Sequence, residues 1–183
     1  DPRSAEVIKP FLAGRDVKRY LTPDPAKFLI LFEKGWTDRH AGSVSDKWDW
    51  LKDTYPAITS HLELFSEKGE RRYDKGDYWW ELRACDYYQE FERPKIMYAE
   101  IATRGQFTID DGNHYSDTTS YIIGSNSPYL VGILNSRLWT FLFSNVSSEI
   151  RGGFFRWKRQ YMESLPIHPI DPASPADIAR RDR

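Results

Sequence analysis

The feature that most constrains the fold is a central aromatic segment between residues 78 and 104. It contains the tandem tryptophans Trp79 and Trp80, together with further aromatic and basic residues. We predict two strands here, Tyr78 to Arg83 and Lys95 to Thr103, because aromatic and branched residues suit a half-buried pleated surface. Two interpretations remain open. Rings that stack on bases and cations that neutralise phosphates would form a nucleic-acid surface, whereas rings buried in the core are the commoner case in strands.

Composition narrows the class of protein. A chain of 183 residues is long enough for one domain with a buried core, and no run of residues approaches the length of a membrane span. The formal net charge is -1, so any nucleic-acid binding must come from local basic clusters. The single cysteine, Cys85, cannot form an internal disulfide or a multi-cysteine zinc site, which fits a reducing cytoplasm. Because the chain opens at Asp1 and not at Met, we expect a piece of a longer protein.

The order of the remaining elements predicts an α+β fold: a mixed, mostly antiparallel sheet with a few packed helices in a single domain. The domain is expected to span residues 1–170, followed by a polar C-terminal linker, or the foot of a following helix, at 171–183. The predicted strands are Phe28–Phe32, Gln106–Asp110 and Thr119–Ile123. The predicted helices are Asp46–Tyr55, Ala57–Lys68 and Tyr129–Asn145. We expect loops or turns at Thr22–Pro25, Gly35–Ser45 and Asp111–Asn113.

Two details support the helix predictions. Pro56 precedes the second helix and Pro128 the third, and proline is favoured at a first helical position because its missing N–H would be unpaired there. Ser127 is the expected N-cap of the third helix, and Gly69 the expected end of the second. In the third helix leucine recurs every four residues, from Leu130 to Leu142, which predicts burial on most of its faces.

The strongest functional stretch runs from Arg151 to Tyr161. It carries four cations, no acid and four aromatic rings, and Gly152-Gly153 permits a close approach of the backbone to a phosphate. The alternative is a solvated basic connector whose rings are core. The candidate DNA-binding residues in this stretch are Arg151, Arg156, Lys158 and Arg159.

Three further places carry candidate DNA-binding residues. Arg71, Arg72 and Lys75 form a basic loop, for which a solvated charged turn is the alternative. Arg104 follows a predicted strand and is a candidate base reader, because arginine to guanine is the commonest specific contact. The third group is Arg15, Lys18 and Arg19, which either face DNA or hold an interface with another domain.

Metal and catalytic sites are not predicted. The segment Asp110–His114, with Asp117, lacks the alternating oxygen ligands of a calcium loop, so we interpret it as a turn. The triplet Asp16-Val17-Lys18 has the acid-x-lysine form of some nucleases, but metal-dependent cleavage needs several converging carboxylates. A nuclease that uses Asp16 therefore stays only as a minor alternative.

Several stretches together resemble one family, and they extend from about Val7 to Ile170. The chain resembles the TaqI-like C-terminal specificity domain, the target-recognition part of adenine-specific DNA methyltransferases, which include type IIG restriction-modification enzymes and phage-resistance methylases. The stretches that carry the resemblance are Ile8–Val17, Tyr55–Leu62, Trp79–Arg83, Phe91–Ile96, Tyr129–Ser136 and Leu165–Ile167.

The resemblance implies a bacterial or archaeal, cytoplasmic domain that reads double-stranded DNA and performs no chemistry. The family's catalytic half carries an Asn/Asp-Pro-Pro-aromatic motif and an S-adenosylmethionine loop, and neither occurs here. S-adenosylmethionine is therefore expected only in the catalytic domain of the parent chain, which is also the expected protein partner. A docking module that binds this catalytic domain and has weak DNA affinity of its own is the main alternative.

Overall fold

The computed structural model describes residues 2–21, 27–171 and 173–182. The predicted α+β class is confirmed: short helices accompany three small sheets with antiparallel strand pairs. The chain forms two compact units. The predicted turn at Thr22–Pro25 lies outside the described residues.

Unit 1 comprises Asp1–Phe11, Pro25–Glu92 and Asn113–Tyr115. Its antiparallel pair places Ile8 opposite Ile30, and the buried core beside it contains Phe32, Leu51 and Trp80. The strands that contribute to this unit are β1 (Ile8–Leu12), β2 (Lys27–Ile30) and β6 (Tyr115–Ser116), in the sheet order β2-β1-β6. Its helices are α1 (Ser4–Val7), α2 (Trp36–Ala41), α3 (Lys47–Thr54), α4 (Pro56–Glu63), α5 (Ser66–Glu70) and a 3-10 helix, Tyr88–Glu92.

Local signals explain α3 and α4. A carboxylate oxygen of Asp46 accepts a hydrogen bond from the N–H of Asp49 at 2.9 Å and so caps α3. Pro56 occupies the first turn of α4, as predicted. The predicted end at Gly69 is wrong, because α4 stops at Glu63 and Gly69 lies inside α5. A Cβ at Gly69 would lie 2.5 Å from the Trp79 ring, so the glycine serves packing.

The prediction of a loop from Gly35 to Ser45 is wrong, because α2 occupies Trp36–Ala41. Gly35 precedes the helix with a φ of 74°, a conformation that favours glycine. Within the helix the rings of Trp36 and His40 stack 4.0 Å apart at i, i+4 spacing. This contact stabilises a helix in a segment whose polar, glycine-containing composition is typical of a loop.

The predicted strand from Tyr78 to Arg83 is also wrong. These residues form turns, and the carboxylate of Glu81, which is fully buried, accepts hydrogen bonds from the N–H groups of Gly35, Thr37 and Asp77 at 2.9–3.0 Å. Trp80 is buried and donates its indole N–H to Thr37 at 3.0 Å. The tandem tryptophans therefore belong to the core of unit 1, which favours the second of the two interpretations of this segment.

Unit 2 comprises Leu12–Asp24, Arg93–Gly112 and Ser116–Arg183. It contains two sheets, of order β5-β3-β7 and β4-β9-β8, around a core that includes Ile96, Phe107, Trp139 and Trp157. The strands are β3 (Lys95–Ala99), β4 (Ile101–Ala102), β5 (Phe107–Asp110), β7 (Ser120–Ile123), β8 (Glu149–Ile150) and β9 (Phe154–Arg156). The helices are α6 (Pro128–Leu134), α7 (Arg137–Val146), α8 (Arg159–Met162) and α9 (Pro175–Arg181).

The predicted strand Lys95–Thr103 is therefore divided into β3 and β4, whereas the strands predicted near residues 106–110 and 119–123 are confirmed. Asp110, the last residue of β5, forms a buried ion pair with Lys95. After it, Gly112 has a φ of 94°, which agrees with the predicted turn at Asp111–Asn113. In the segment 171–183, which was predicted as a linker or helix foot, Ser174 caps α9.

The single helix predicted from Tyr129 to Asn145 is interrupted. Ser127 caps α6 as predicted, but Ser136 begins a second helix, and its hydroxyl accepts a hydrogen bond from the N–H of Trp139 at 3.0 Å. Leu138 and Phe141 are exposed, so the predicted burial on most faces is wrong. Within the described ranges, no helix combines the length and the hydropathy needed to cross a membrane.

Candidate nucleic-acid interface

Strand pairing brings two candidate residues, Arg104 and Arg151, to the same end of a sheet in unit 2. β9 pairs with β4, with Ala102 opposite Phe155, and with β8, with Ile150 opposite Phe154. Because both pairs are antiparallel, the chain that leaves β4 runs toward the turn that joins β8 to β9. Arg104 follows β4, and Arg151 opens that turn.

Both side chains are exposed, and neither Arg104 nor Arg151 has a hydrogen-bond or ion-pair partner among the described residues. Phe154, at the start of β9, keeps 40% of its surface exposed. Guanidinium groups without an ion-pair partner are suited to contacts with phosphates, and an accessible ring is suited to stacking on a base. We call this surface, formed by Arg104, Arg151 and Phe154, the arginine edge.

The turn in the arginine edge depends on its two glycines. Gly152 and Gly153 have φ values of 87° and 76°, a region that side chains with a Cβ rarely adopt. A Cβ at Gly153 would meet no atom within 4 Å, so the outer surface of the turn is open. The expected close approach of a phosphate to this backbone stays a prediction.

The loop that carries Arg104 is held in place by the residues that follow it. A Cβ on Gly105 would lie 2.3 Å from the carbonyl oxygen of Leu134, so only glycine allows this contact between the loop and α6. The amide of Asn135, which is buried, exchanges two hydrogen bonds with the backbone of Phe107, at 2.9 and 2.8 Å. Arg104 is therefore presented from a fixed loop, which suits a group that must reach a defined position.

Sequence reasoning missed the role of Asn135. It lies in a stretch that carried the family resemblance, but its neighbours are apolar helix residues, and no local pattern indicates a partner that is 28 residues away. A buried asparagine at the end of a helix is the signal that could have identified it, because a buried amide needs hydrogen-bond partners.

The candidates Arg15, Lys18 and Arg19 lie on a turn that reaches the same loop. The N–H of Tyr20 donates to the carbonyl of Phe107 at 3.1 Å, three residues beyond Arg104. Lys18 donates to the carbonyl of Arg15, and the guanidinium of Arg19 lies 4.9 Å from the centre of the Tyr20 ring. Arg15 is exposed and lies 3.9 Å from the carboxylate of Asp16. These cations therefore extend the positive surface next to Arg104.

The other cations of the basic stretch are largely neutralised by acids from elsewhere in the chain. Arg156 donates to Glu100 at 3.1 Å, and Arg159 is bonded to Glu163, which raises the pKa of Arg159. Lys158 is half-buried and has no side-chain partner in the described part of the chain. The local charge is therefore lower than the composition of this stretch predicts.

The rings of the stretch divide between core and surface. Trp157 is buried, stacks on Phe143 at 4.0 Å, and donates its indole N–H to the carbonyl of Ala102 at 3.1 Å. Phe155 and Tyr161 pack partly buried against the same core. The alternative in which the rings are core is thus correct for Trp157, whereas Phe154 stays accessible.

In unit 1 the three basic candidates are engaged with the protein itself. Arg72 is half-buried and donates to the carbonyls of Trp79 and Glu81 at 3.1 and 2.7 Å. Arg71 pairs with Glu67 at 2.5 Å, and Lys75 donates to the carbonyl of Glu70 at 2.6 Å. Their part in DNA binding stays a prediction, and the geometry gives Arg72 a structural role.

Comparison with known proteins agrees with the resemblance seen in the sequence. The model of the TaqI-like C-terminal specificity domain matches residues 9–167, most of the chain. A search of curated proteins gave no match. The matched span includes all of β1 except Ile8, both sheets of unit 2 and the arginine edge. The chain therefore belongs to the TaqI-like C-terminal specificity domains, the DNA-recognition domains of methyltransferases.

Proposed function

We propose that this protein reads a specific double-stranded DNA sequence for an N6-adenine methyltransferase of a restriction-modification or phage-resistance system. It would contribute recognition and no chemistry, while the catalytic domain of the parent protein binds S-adenosylmethionine and extracts the adenine. The proposal places this activity in the cytoplasm of a bacterium or archaeon.

The observation that carries the proposal is the arginine edge within a domain of this family. Arg104 and Arg151 are exposed and uncompensated, and the loop that holds Arg104 is anchored by Asn135 and Gly105. A guanidinium on a fixed loop can donate two hydrogen bonds to a guanine edge, which is the commonest specific contact in the major groove. The neighbouring cations Lys18 and Arg19 would contact phosphates and set the register.

The test is selection from a pool of random duplexes at two salt concentrations, followed by sequencing. We expect an enriched motif. With that motif as ligand, Arg104→Ala together with Arg151→Ala should weaken binding at least tenfold. If both groups contact phosphates, the negative slope of log K against log salt should also become less steep by about 1.8, since each phosphate contact contributes roughly 0.9 to its magnitude.

The matched control is Arg159→Ala, because Arg159 is exposed but already paired with Glu163. This variant should keep most of the affinity and the salt slope. If the control and the double variant reduced the DNA affinity equally, the loss of affinity would reflect the net charge of the protein alone. Retention of DNA without any enriched motif would restrict this protein to backbone binding.

A second candidate function, docking on the catalytic domain of the parent protein, is favoured by α7. Leu138 and Phe141 lie three residues apart on this helix and expose 66% and 64% of their surfaces. Paired exposed apolar side chains on one helix face are a common feature of protein interfaces. If docking is the main function, Leu138→Glu with Phe141→Glu should abolish co-purification with the separately expressed catalytic domain.

A further inference from the structure

The turn from Lys18 to Leu21 contains a backbone conformation that its sequence does not favour. The N–H of Leu21 donates to the carbonyl of Lys18 at 3.2 Å, which closes a four-residue turn. Tyr20, at the third position, has a φ of 60°, and within the described ranges it is the only residue other than glycine with a positive φ. Glycine and asparagine are the usual residues at such a position, and a bulky side chain there is strained.

The fold does not compensate this strain by burying the side chain. Tyr20 exposes 57% of its surface and Leu21 exposes 60%, and neither belongs to a core cluster. The contact of the Tyr20 ring with Arg19 is itself on the surface. Strained residues that persist at the surface occur mainly where the side chain serves a function.

The position of the turn indicates what that function is. The hydrogen bond from the Tyr20 N–H to the carbonyl of Phe107 fixes the turn beside the loop that carries Arg104. The exposed tip formed by Tyr20 and Leu21 is preceded by the three cations Arg15, Lys18 and Arg19. Apolar side chains flanked by cations are the arrangement by which proteins insert a wedge between base pairs while holding the adjacent phosphates.

We propose that Tyr20 and Leu21 insert between base pairs of the bound duplex, beside the bases that Arg104 contacts. This inference rests on the proposed DNA-recognition function. It adds a specificity-determining contact that depends on the ease with which a base step is unstacked, because flexible pyrimidine–purine steps open more easily than stiff ones. The tip would therefore favour targets with such a step at one fixed position.

The experiment uses the enriched duplex from the random-pool selection, with 2-aminopurine placed in turn at each adenine. Insertion unstacks the neighbouring base, so binding of the unmodified protein should raise the fluorescence at one position at least twofold. Tyr20→Asn should abolish this rise and weaken binding about tenfold. Its melting temperature should be equal to or above that of the unmodified protein, because asparagine tolerates the conformation of this turn.

The matched control is Tyr87→Asn, since Tyr87 is an exposed tyrosine of unit 1 outside the basic clusters. It should leave both the affinity and the fluorescence unchanged. Unchanged affinity and fluorescence in Tyr20→Asn would overturn the inference and leave the proposed function standing. A lower melting temperature for Tyr20→Asn would also overturn it, because the ring would then serve the fold. If the unmodified protein retained no duplex at all, both the proposed DNA-recognition function and the insertion of Tyr20 and Leu21 would be refuted.

Discussion

Replacement of Glu81 by alanine tests the claim that one carboxylate organises the aromatic segment of unit 1. Its two oxygens accept three backbone hydrogen bonds: Oε1 from Thr37, and Oε2 from Gly35 and Asp77. The bond to Thr37 is buried, and the other two are partly buried, so water can replace the carboxylate only in part. The truncation therefore leaves one donor unsatisfied and two poorly satisfied.

The expected loss follows from these three bonds. An unsatisfied buried donor costs about 1–3 kcal/mol, and each partly buried bond to a charged acceptor adds about 1 kcal/mol, so the free energy of unfolding should fall by about 3–5 kcal/mol. For a chain of this size, that change lowers the melting temperature by about 10 °C. The Glu81→Gln variant keeps one acceptor oxygen, so its free energy of unfolding should fall less than that of Glu81→Ala.

Urea denaturation followed by tryptophan fluorescence measures this loss. Glu63→Ala is the matched control, because Glu63 is exposed at the end of α4 and has no hydrogen-bond partner among the described residues. It should change the free energy of unfolding by less than about 0.5 kcal/mol. A Glu81→Ala protein as stable as this control would refute the argument that Glu81 holds the turns around Trp79 and Trp80.

Three further predictions concern stability and ionisation. Gly105→Ala should destabilise the protein by about 1–3 kcal/mol in thermal unfolding, because its Cβ would lie 2.3 Å from the carbonyl oxygen of Leu134; Gly132→Ala, in an open position of α6, should be neutral or stabilising. The hydrogen bond from Tyr78 is the main cause that lowers the pKa of Asp38, and Asp38 in turn raises the pKa of Tyr78 to about 12. Tyr78→Phe should therefore raise the Asp38 pKa in a carboxyl NMR titration, and an unchanged pKa would contradict this assignment. Hydrogen bonds from Lys9 and then Tyr115 lower the pKa of Glu92, so its contribution to stability is present above the unfolded-state pKa of about 4.3 and is lost as the pH falls through the lower folded-state pKa. The stability difference between the unmodified protein and Glu92→Gln should thus shrink below about pH 4 in urea titrations, whereas a difference constant with pH would exclude this linkage.

Local sequence signals predicted those parts of the fold that neighbouring residues decide. Ser127 caps its helix, Pro56 and Pro128 begin theirs, and Gly112 turns the chain after β5. Each effect acts within about four residues, through a hydrogen bond or a restricted φ, and is therefore readable from the chain. The order of several such stretches was sufficient to indicate the family.

The failed strand prediction concerns a segment that is held by contacts with distant residues. The residues Tyr78 to Arg83 have the composition of a strand, but the Glu81 carboxylate binds the N–H groups of residues up to 46 positions away. The interruption after α6, in contrast, is local, because the hydroxyl of Ser136 caps α7 through the N–H of Trp139. The strand propensity of the residues predicts their structure only weakly, and tertiary contacts such as those of Glu81 override it.

The sequence by itself determined the fold class, the starts of the three helices α3, α4 and α6, the family and the set of cations from which a DNA surface can be built. Only the tertiary structure decided which of these cations are available. Arg156 is 56 residues from Glu100, whose carboxylate it binds, whereas Arg104 and Arg151 both lie at one end of a sheet without an acidic partner among the described residues. The physical reason is that a charge interacts over a few ångströms of space, and folding alone determines which distant residues lie within that distance.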